Sequence, residues 1–171
     1  MEDALTPLET AVATLGAALR ARGAMLAAAE SCTGGLIAAA CTALAGSSDW
    51  FERGFVTYSD AAKTDMLGVE PALIAAHGAV SAEVARAMAE GALAQSRATW
   101  AVAVTGIAGP GGATPGKPVG TVWIATAARA GAAEAKLLQA SGDRAAIRQQ
   151  SLVRALAQVL ARVEATPLAG P

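Results

Sequence analysis

Apolar residues recur along the chain with two spacings, and these spacings predict where helices and strands lie. Between residues 5 and 22 they recur every three or four positions, at Leu8, Val12, Leu15 and Leu19. This spacing, which stops at Gly23, is typical of an amphipathic helix that ends at a glycine. Residues 24–29 form a short continuous apolar run instead, which predicts a buried strand.

The same reasoning extends over the rest of the chain. Further helices are predicted over residues 33–44, 60–67, 71–77, 81–97 and 143–162, and further strands over 51–58, 100–105, 119–127 and 132–139. Ser59 or Asp60, Ser81 and Asp143 precede three of these helices and are good N-caps. The last two strands are expected to form an antiparallel pair.

This order of elements predicts a single α/β domain. Helices and strands alternate before the hairpin, which indicates a three-layer α/β/α sandwich with a mixed, mostly parallel sheet. A length of 171 residues suits one compact domain, expected over residues 1–165, with a frayed tail at 166–171.

Composition and charge narrow the function classes. Apolar residues make up 54% of the chain and charged residues 16%, which favours a dense core over disorder. The net charge of −1 argues against a broad nucleic-acid surface but allows a small basic pocket for an anionic ligand. No signal peptide and no apolar run of about 18 residues is present, so we expect a cytoplasmic protein without a membrane partner.

The metal-binding residue types are scarce. Cys32 and Cys41 are the only cysteines, they form no CxxC pair, and His77 is the only histidine. Zinc sites usually need several such ligands, so we expect neither a metal nor a redox cofactor.

The segment AAAESCTGGLIAAA joins a predicted strand to a predicted helix, and ligands collect at such junctions in α/β sheets. Ser31 is the first candidate nucleophile and Cys32 the second. The amides at a helix start near Thr33 favour an anion or a developing oxyanion, and Gly34 and Gly35 let a ligand approach the backbone. The segment matches neither the P-loop nor GxSxG, and simple helix capping by Ser31 or Thr33 is the alternative.

A serine nucleophile needs a base, and Lys63 is the favoured candidate. The apolar neighbours expected to desolvate its ammonium are Ala61, Ala62 and Met66. A neutral lysine requires a pKa about three units below the usual value of about 10.4, or about 4 kcal/mol. Tyr58, at the end of a predicted strand, could relay the proton or hold Lys63. His77, the other possible base, is more simply explained as a cation at the end of a helix. The alternative interpretation of Lys63 is a solvated lysine on an exposed helix.

Two other segments suit an anionic, carbonyl-bearing substrate. The loop TGIAGPGG leaves a core strand, so amides at Thr105, Gly106 and Gly109 can line the same crevice. Arg144 and Arg148 are four positions apart on one helix face and could clamp a phosphate. The alternative for the glycine-rich loop is an ordinary flexible connection, and the alternative for the two arginines is a solvated helix face.

Several motifs together resemble one family. AESCTGG, FERGFVTYSDAAK, HGAVS, AVTGIAGPGG, GKPVGTVWIA and GDRAAIR occur in an order and spacing similar to the CinA C-terminal family, over nearly the whole chain. The family usually has Asn-Glu between Ser59 and Ala62, where this chain has Asp60-Ala61. That difference spares Tyr58 and Lys63.

The resemblance implies a function. Stand-alone members include nicotinamide-nucleotide amidases, which hydrolyse the carboxamide of nicotinamide mononucleotide (NMN) to nicotinate mononucleotide and ammonia, a step of pyridine nucleotide salvage. Ser31 matches the family's nucleophile, Lys63 its base and Tyr58 a catalytic helper. The implied substrate-binding residues are Thr105, Gly106, Gly109 and the arginines of the last helix. Family members are often dimers.

Two other functions remain open from the sequence. The chain could be a non-catalytic nucleotide-binding or interaction module of the competence/damage-inducible type, or an amidase for another carboxamide. No basic stripe or aromatic platform supports direct contact with nucleic acid.

Overall fold

The structure, a computed structural model, describes residues 5–168. Its α-helices are α1 (Pro7–Arg20), α2 (Leu36–Thr42), α3 (Asp60–Leu67), α4 (Pro71–His77), α5 (Ala82–Ala94) and α6 (Arg144–Ala165). Its strands are β1 (Leu26–Glu30), β2 (Phe51–Val56), β3 (Trp100–Gly106), β4 (Thr121–Ala128) and β5 (Glu134–Gln139).

The five strands form one mixed sheet in the order β2-β1-β3-β4-β5. β1 pairs in parallel with both β2 and β3, whereas β4 runs antiparallel to β3 and to β5. Four of the five strands therefore point the same way, and the predicted hairpin is the β4–β5 pair. The predicted mixed sheet is confirmed.

Helices cover both faces of this sheet. In β1, Leu26 and Ala28 face a core shared with α1, α2 and α6, while Ala27 and Ala29 face a second core shared with α3, α4 and α5. Successive side chains of a strand point to opposite faces, so a strand buried on both faces is apolar throughout. The three-layer sandwich is confirmed.

Several predicted boundaries shift at the ends of elements. The helix expected from residue 33 begins at Leu36, because Gly34 and Gly35 have φ angles of +57° and +102° and form a turn first. The strand expected to reach Tyr58 ends at Val56, so the tyrosine lies on the connection to α3.

Part of the predicted domain and tail lies outside the described residues, namely 1–4 and 169–171. Within the described part of the tail, the carbonyl of Thr166 accepts a hydrogen bond of 3.2 Å from Nε of Arg22.

The sheet brings three chain segments to one edge. Glu30, the last residue of β1, is in register with Val56 of β2 and with Val104 of β3. The residues that follow these strand positions therefore lie side by side at the carboxyl edge of the parallel strands, where ligands bind in such sheets.

Candidate active site

Ser31 and Lys63 meet at this carboxyl edge of the sheet. Nζ of Lys63 lies 3.2 Å from Oγ of Ser31 and donates a second hydrogen bond of 3.2 Å to the carbonyl of Thr57. The amide of Ser31 donates to the carbonyl of Val104, which fixes the serine against β3. Both side chains are buried, so the pair is held away from bulk water.

The helix α3 directs Lys63 inward. Its N-cap is Ser59, whose Oγ accepts the amide of Ala62 at 3.0 Å. Lys63 and Leu67 are the buried residues of α3, one turn apart on the same face. The apolar neighbours that the sequence suggested are not the cause of burial, since Ala61 and Met66 are exposed.

Burial lowers the pKa of Lys63 below its ordinary value. The carboxylate of Asp60, 3.9 Å from Nζ and itself largely exposed, opposes the shift, and Cys32 opposes it further. A lowered pKa increases the fraction of neutral amine, which is the form that can accept a proton. The arrangement is therefore suited to a Lys63 base beside a Ser31 hydroxyl.

Cys32 is a poor nucleophile in this position. Burial raises the pKa of its thiol to about 11, although its own backbone amide and then the charges of Arg148 and Arg144 oppose the shift. The thiol is therefore protonated at neutral pH, and the thiolate is the reactive form.

A cavity of about 260 Å³ opens beside the Ser31–Lys63 pair. It is lined by Ser31, Cys32, Tyr58, Asp60, Lys63, Ala79, Val80, Thr105, Gly106, Ala108 and Arg144. Five widely separated chain segments thus line the cavity, and four of them contribute polar or charged side chains. The volume lies slightly below the usual range for small-molecule pockets, about 300–1,000 Å³.

Tyr58 and Arg144 form one wall of the cavity. The phenol oxygen of Tyr58 accepts a hydrogen bond of 3.0 Å from Nη2 of Arg144, and Nη1 of the same arginine donates to the carbonyl of Gly109 at 2.8 Å. Tyr58 itself is 62% exposed. This geometry leaves the tyrosine at the solvent side of the site rather than buried with Lys63.

Thr105 and Gly106 also line the cavity. The hydroxyl of Thr105 donates to the carbonyl of Ala79 at 2.8 Å and so joins the end of β3 to the segment before α5. A Cβ at Gly106 would lie 2.7 Å from Cγ2 of Val122, so close packing against β4 requires glycine there.

Five of the residues suggested by the sequence do not line the cavity: Thr33, Gly34, Gly35, Gly109 and Arg148. Gly34 and Gly35 serve the left-handed turn before α2. The Thr33 hydroxyl is buried and has no hydrogen-bond partner among residues 5–168. Arg148 donates hydrogen bonds of 3.1 Å to the carbonyls of Cys32 and Thr33. It therefore holds the turn between β1 and α2 without lining the cavity.

Glu30 is a residue that the sequence analysis missed. Its buried carboxylate accepts the backbone amides of Gly35, Ile37 and Ala38 at 3.1, 3.0 and 2.9 Å. It therefore occupies the amides at the start of α2, which the sequence had suggested for the oxyanion. The available signal was a charged residue that ends an apolar strand directly before the nucleophile.

His77 lies apart from the cavity. It ends α4, and its Nδ1 is 3.7 Å from a carboxylate oxygen of Glu83.

Over residues 5–168, no helix is long and apolar enough to cross a membrane. The same residues contain no group of three or more His, Cys, Asp or Glu side chains placed to hold a metal ion.

A buried Ser–Lys pair at a polar cavity resembles the nucleophile–base pairs that serine hydrolases of several unrelated folds use. Residues 8–163 match the family described as CinA C-terminal domain. The chain belongs to this family.

Relatives of known name agree with this assignment. The chain is 54% identical over 142 residues to the nicotinamide-nucleotide amidohydrolase PncC of Escherichia coli strain K12, covering 83% of this chain and 86% of that protein. It is 50% identical over 152 residues to the protein of the same name in Pseudomonas putida, covering 89% and 94%. A crystal structure of the competence/damage inducible protein CihA from Agrobacterium tumefaciens superimposes with a TM-score of 0.88 at 46% identity, covering 94% and 98%.

Proposed function

We propose that the protein hydrolyses the carboxamide of NMN to nicotinate mononucleotide and ammonia, with Ser31 as nucleophile and Lys63 as general base. The observation that carries this proposal is the 3.2 Å contact between the buried Lys63 amine and the Ser31 hydroxyl at a polar cavity. The names of the curated relatives support the substrate.

The reaction begins with neutral Lys63. Its amine takes the proton of the Ser31 hydroxyl as Oγ attacks the carboxamide carbon, and backbone amides hold the resulting tetrahedral oxyanion. The ammonium of Lys63 then returns the proton to the departing nitrogen, so that ammonia leaves and an acyl-enzyme remains. Water, deprotonated by the same amine, releases nicotinate mononucleotide and restores Ser31.

Tyr58 and Arg144 are the groups at the solvent side of the cavity, and we assign them to substrate binding. A guanidinium suits a phosphate or carboxylate oxygen. The cavity of about 260 Å³ suits the reacting ring, and we place the ribose phosphate at its open side, near Arg144. Tyr58, expected from the sequence to be a catalytic helper, serves here by accepting a hydrogen bond that holds this guanidinium in place.

A non-catalytic nucleotide-binding or interaction module is the second candidate, because the Agrobacterium neighbour carries a competence/damage-inducible description. An amidase for another carboxamide is the third. Ammonia release from NMN, nicotinamide riboside and free nicotinamide distinguishes them: binding without turnover favours the module, and turnover of only another substrate favours the third.

The decisive experiment measures NMN turnover by the wild type, Ser31→Ala, Lys63→Ala and Cys32→Ala. We expect the first two variants to lose at least about 10³-fold in kcat while remaining folded, since each removes a member of the reacting pair. Cys32→Ala is the matched control and should stay within about three-fold of wild type, because its protonated thiol takes no part. An inactive Cys32→Ala with an active Ser31→Ala would reverse the assignment of the nucleophile.

We further expect a cytoplasmic homodimer that takes part in pyridine nucleotide salvage. Both cysteines are free thiols, as in proteins of a reducing compartment. Light scattering of the purified protein gives the subunit number directly.

A further inference from the structure

The two backbone amides that follow Ser31 are the unoccupied donors of the nucleophile turn. The carboxylate of Glu30 accepts hydrogen bonds from three backbone amides at the start of α2. The amides of Cys32 and Thr33, by contrast, donate no hydrogen bond to another residue within residues 5–168, and the Cys32 amide interacts only with its own thiol. In serine hydrolases the amide directly after the nucleophile is a common oxyanion donor. The amides of residues 32 and 33, rather than those of the helix, are therefore the ones free to bind an oxyanion.

The direction of each amide is set by the carbonyl on the other side of its peptide. A trans peptide is planar, so its C=O and N–H point in opposite directions. The Ser31 carbonyl accepts the amide of Gly34 at 3.0 Å, which orients the amide of Cys32. The Cys32 carbonyl accepts Nε of Arg148 at 3.1 Å, which orients the amide of Thr33.

Arg148 reaches this peptide from a different part of the fold. It projects from the second turn of α6, and its Nη2 also donates to the Thr33 carbonyl at 3.1 Å. The two bonds hold consecutive peptides with one rigid, planar group. The charge also polarises the Cys32–Thr33 peptide, and a polarised peptide is a stronger donor at its N–H.

We propose that Arg148 is a positioning residue that aligns and strengthens the Thr33 amide as an oxyanion donor for attack by Ser31. The inference deepens the proposed function and rests on it. It assigns Arg148 a different role from the phosphate contact suggested by the sequence, because Arg144 lines the cavity and Arg148 does not.

The test compares Arg148→Ala and Arg148→Lys with Arg154→Ala. Arg154 lies on the same helix, is exposed and makes no hydrogen bond to residues 5–168 through its guanidinium, so it controls for loss of a cation from α6. The expected result is a fall of about 10²-fold in kcat for Arg148→Ala at nearly unchanged KM for NMN, the usual effect of losing one oxyanion donor. Arg148→Lys, which can hold one carbonyl, should recover at least ten-fold over the alanine variant, and guanidinium ion added to Arg148→Ala should raise its rate.

A second readout does not depend on NMN. A fluorophosphonate reacts with an activated serine by forming an Oγ–P bond and releasing fluoride, and its phosphoryl oxygen needs the same donors. We expect Ser31 labelling by this probe to be about 10²-fold slower in Arg148→Ala than in the wild type and in Arg154→Ala.

The outcomes separate the inference from the proposed function. Failure of the wild type to release ammonia from NMN contradicts the proposed function alone, and the labelling rates then decide the role of Arg148. Equal labelling of Arg148→Ala and Arg154→Ala, no labelling of the wild type, or a rise in KM with unchanged kcat each overturns the inference. Thermal unfolding of each variant is measured alongside. If Arg148→Ala is unfolded, the kcat and labelling rate of Arg148→Lys are compared with those of Arg154→Ala instead, and equal rates overturn the inference.

Discussion

Tyr58 and Arg144 lie 86 positions apart in the chain and meet in a hydrogen bond of 3.0 Å between Nη2 and the phenol oxygen. The same guanidinium donates to the carbonyl of Gly109. One side chain at the start of α6 therefore links the connection between β2 and α3 with the loop after β3. The wall of the cavity depends on all three segments being correctly placed.

This link predicts that Tyr58 and Arg144 act as a unit. Tyr58→Phe keeps the ring but removes the acceptor, and we expect kcat/KM for NMN to fall about ten-fold, since a hydrogen bond to a charged group contributes about 1.5–3 kcal/mol and partial exposure reduces that. Steady-state kinetics of Tyr58→Phe, Arg144→Met and the double variant provide the measurement.

The double variant decides whether the pair is coupled. In the Arg144→Met background, removal of the Tyr58 hydroxyl should change kcat/KM by less than about two-fold, because the partner is already absent. If the fold-changes in kcat/KM of the two single variants multiply instead, the two residues act independently and the hydrogen bond between them does not contribute to activity.

Much of this site could be predicted from local sequence signals. Helix α3 has the predicted bounds because Ser59 provides an N-cap and Gly68, with a φ angle of +68°, provides a C-cap. Ser31 lies at a strand end because the apolar run before it is short and a Gly-Gly turn follows. Such signals depend on neighbours in sequence, and they place the elements without their partners.

The partners of the charged groups could not be predicted in this way. Lys63 is buried because α3 turns one face toward the sheet, a rotation that tertiary packing sets and that the flanking Ala61 and Met66 do not indicate. Arg144 and Arg148 share a helix face, yet one lines the cavity and the other holds backbone carbonyls. Sequence spacing cannot distinguish these positions, because the distinction depends on the turn against which α6 packs.

Glu30 is predicted to be a stability determinant of the nucleophile turn. Glu30→Ala leaves one buried and two partly buried backbone donors without their acceptor, and we expect the free energy of unfolding in urea to fall by about 3 kcal/mol. Glu30→Gln retains one carbonyl acceptor and should lose less. Both variants should also lose NMN turnover, because the turn that carries Ser31 is less well defined.

The matched control is Glu70, the N-cap residue of α4. Its side chain makes no capping bond and is exposed, so Glu70→Ala should change the unfolding free energy by no more than about 0.5 kcal/mol. A Glu30→Ala variant as stable as Glu70→Ala would contradict the role assigned to the buried carboxylate.

The lowered pKa of Lys63 predicts a pH-dependent difference in stability between the wild type and Lys63→Met. Burial lowers the folded-state pKa below the unfolded value of about 10.4, so between the two the unfolded chain binds more protons and wild-type stability rises with pH. Methionine binds no proton, so the stability of Lys63→Met relative to wild type should be highest below the folded-state pKa and should decline as pH approaches about 10.4. Urea unfolding of both proteins from about pH 6 to pH 10 measures this decline, with Lys136→Met, at an exposed position, measured alongside as the control. A Lys63→Met difference that does not change with pH would mean that folding leaves the pKa of the amine at its unfolded value, which would contradict the role of Lys63 as the base.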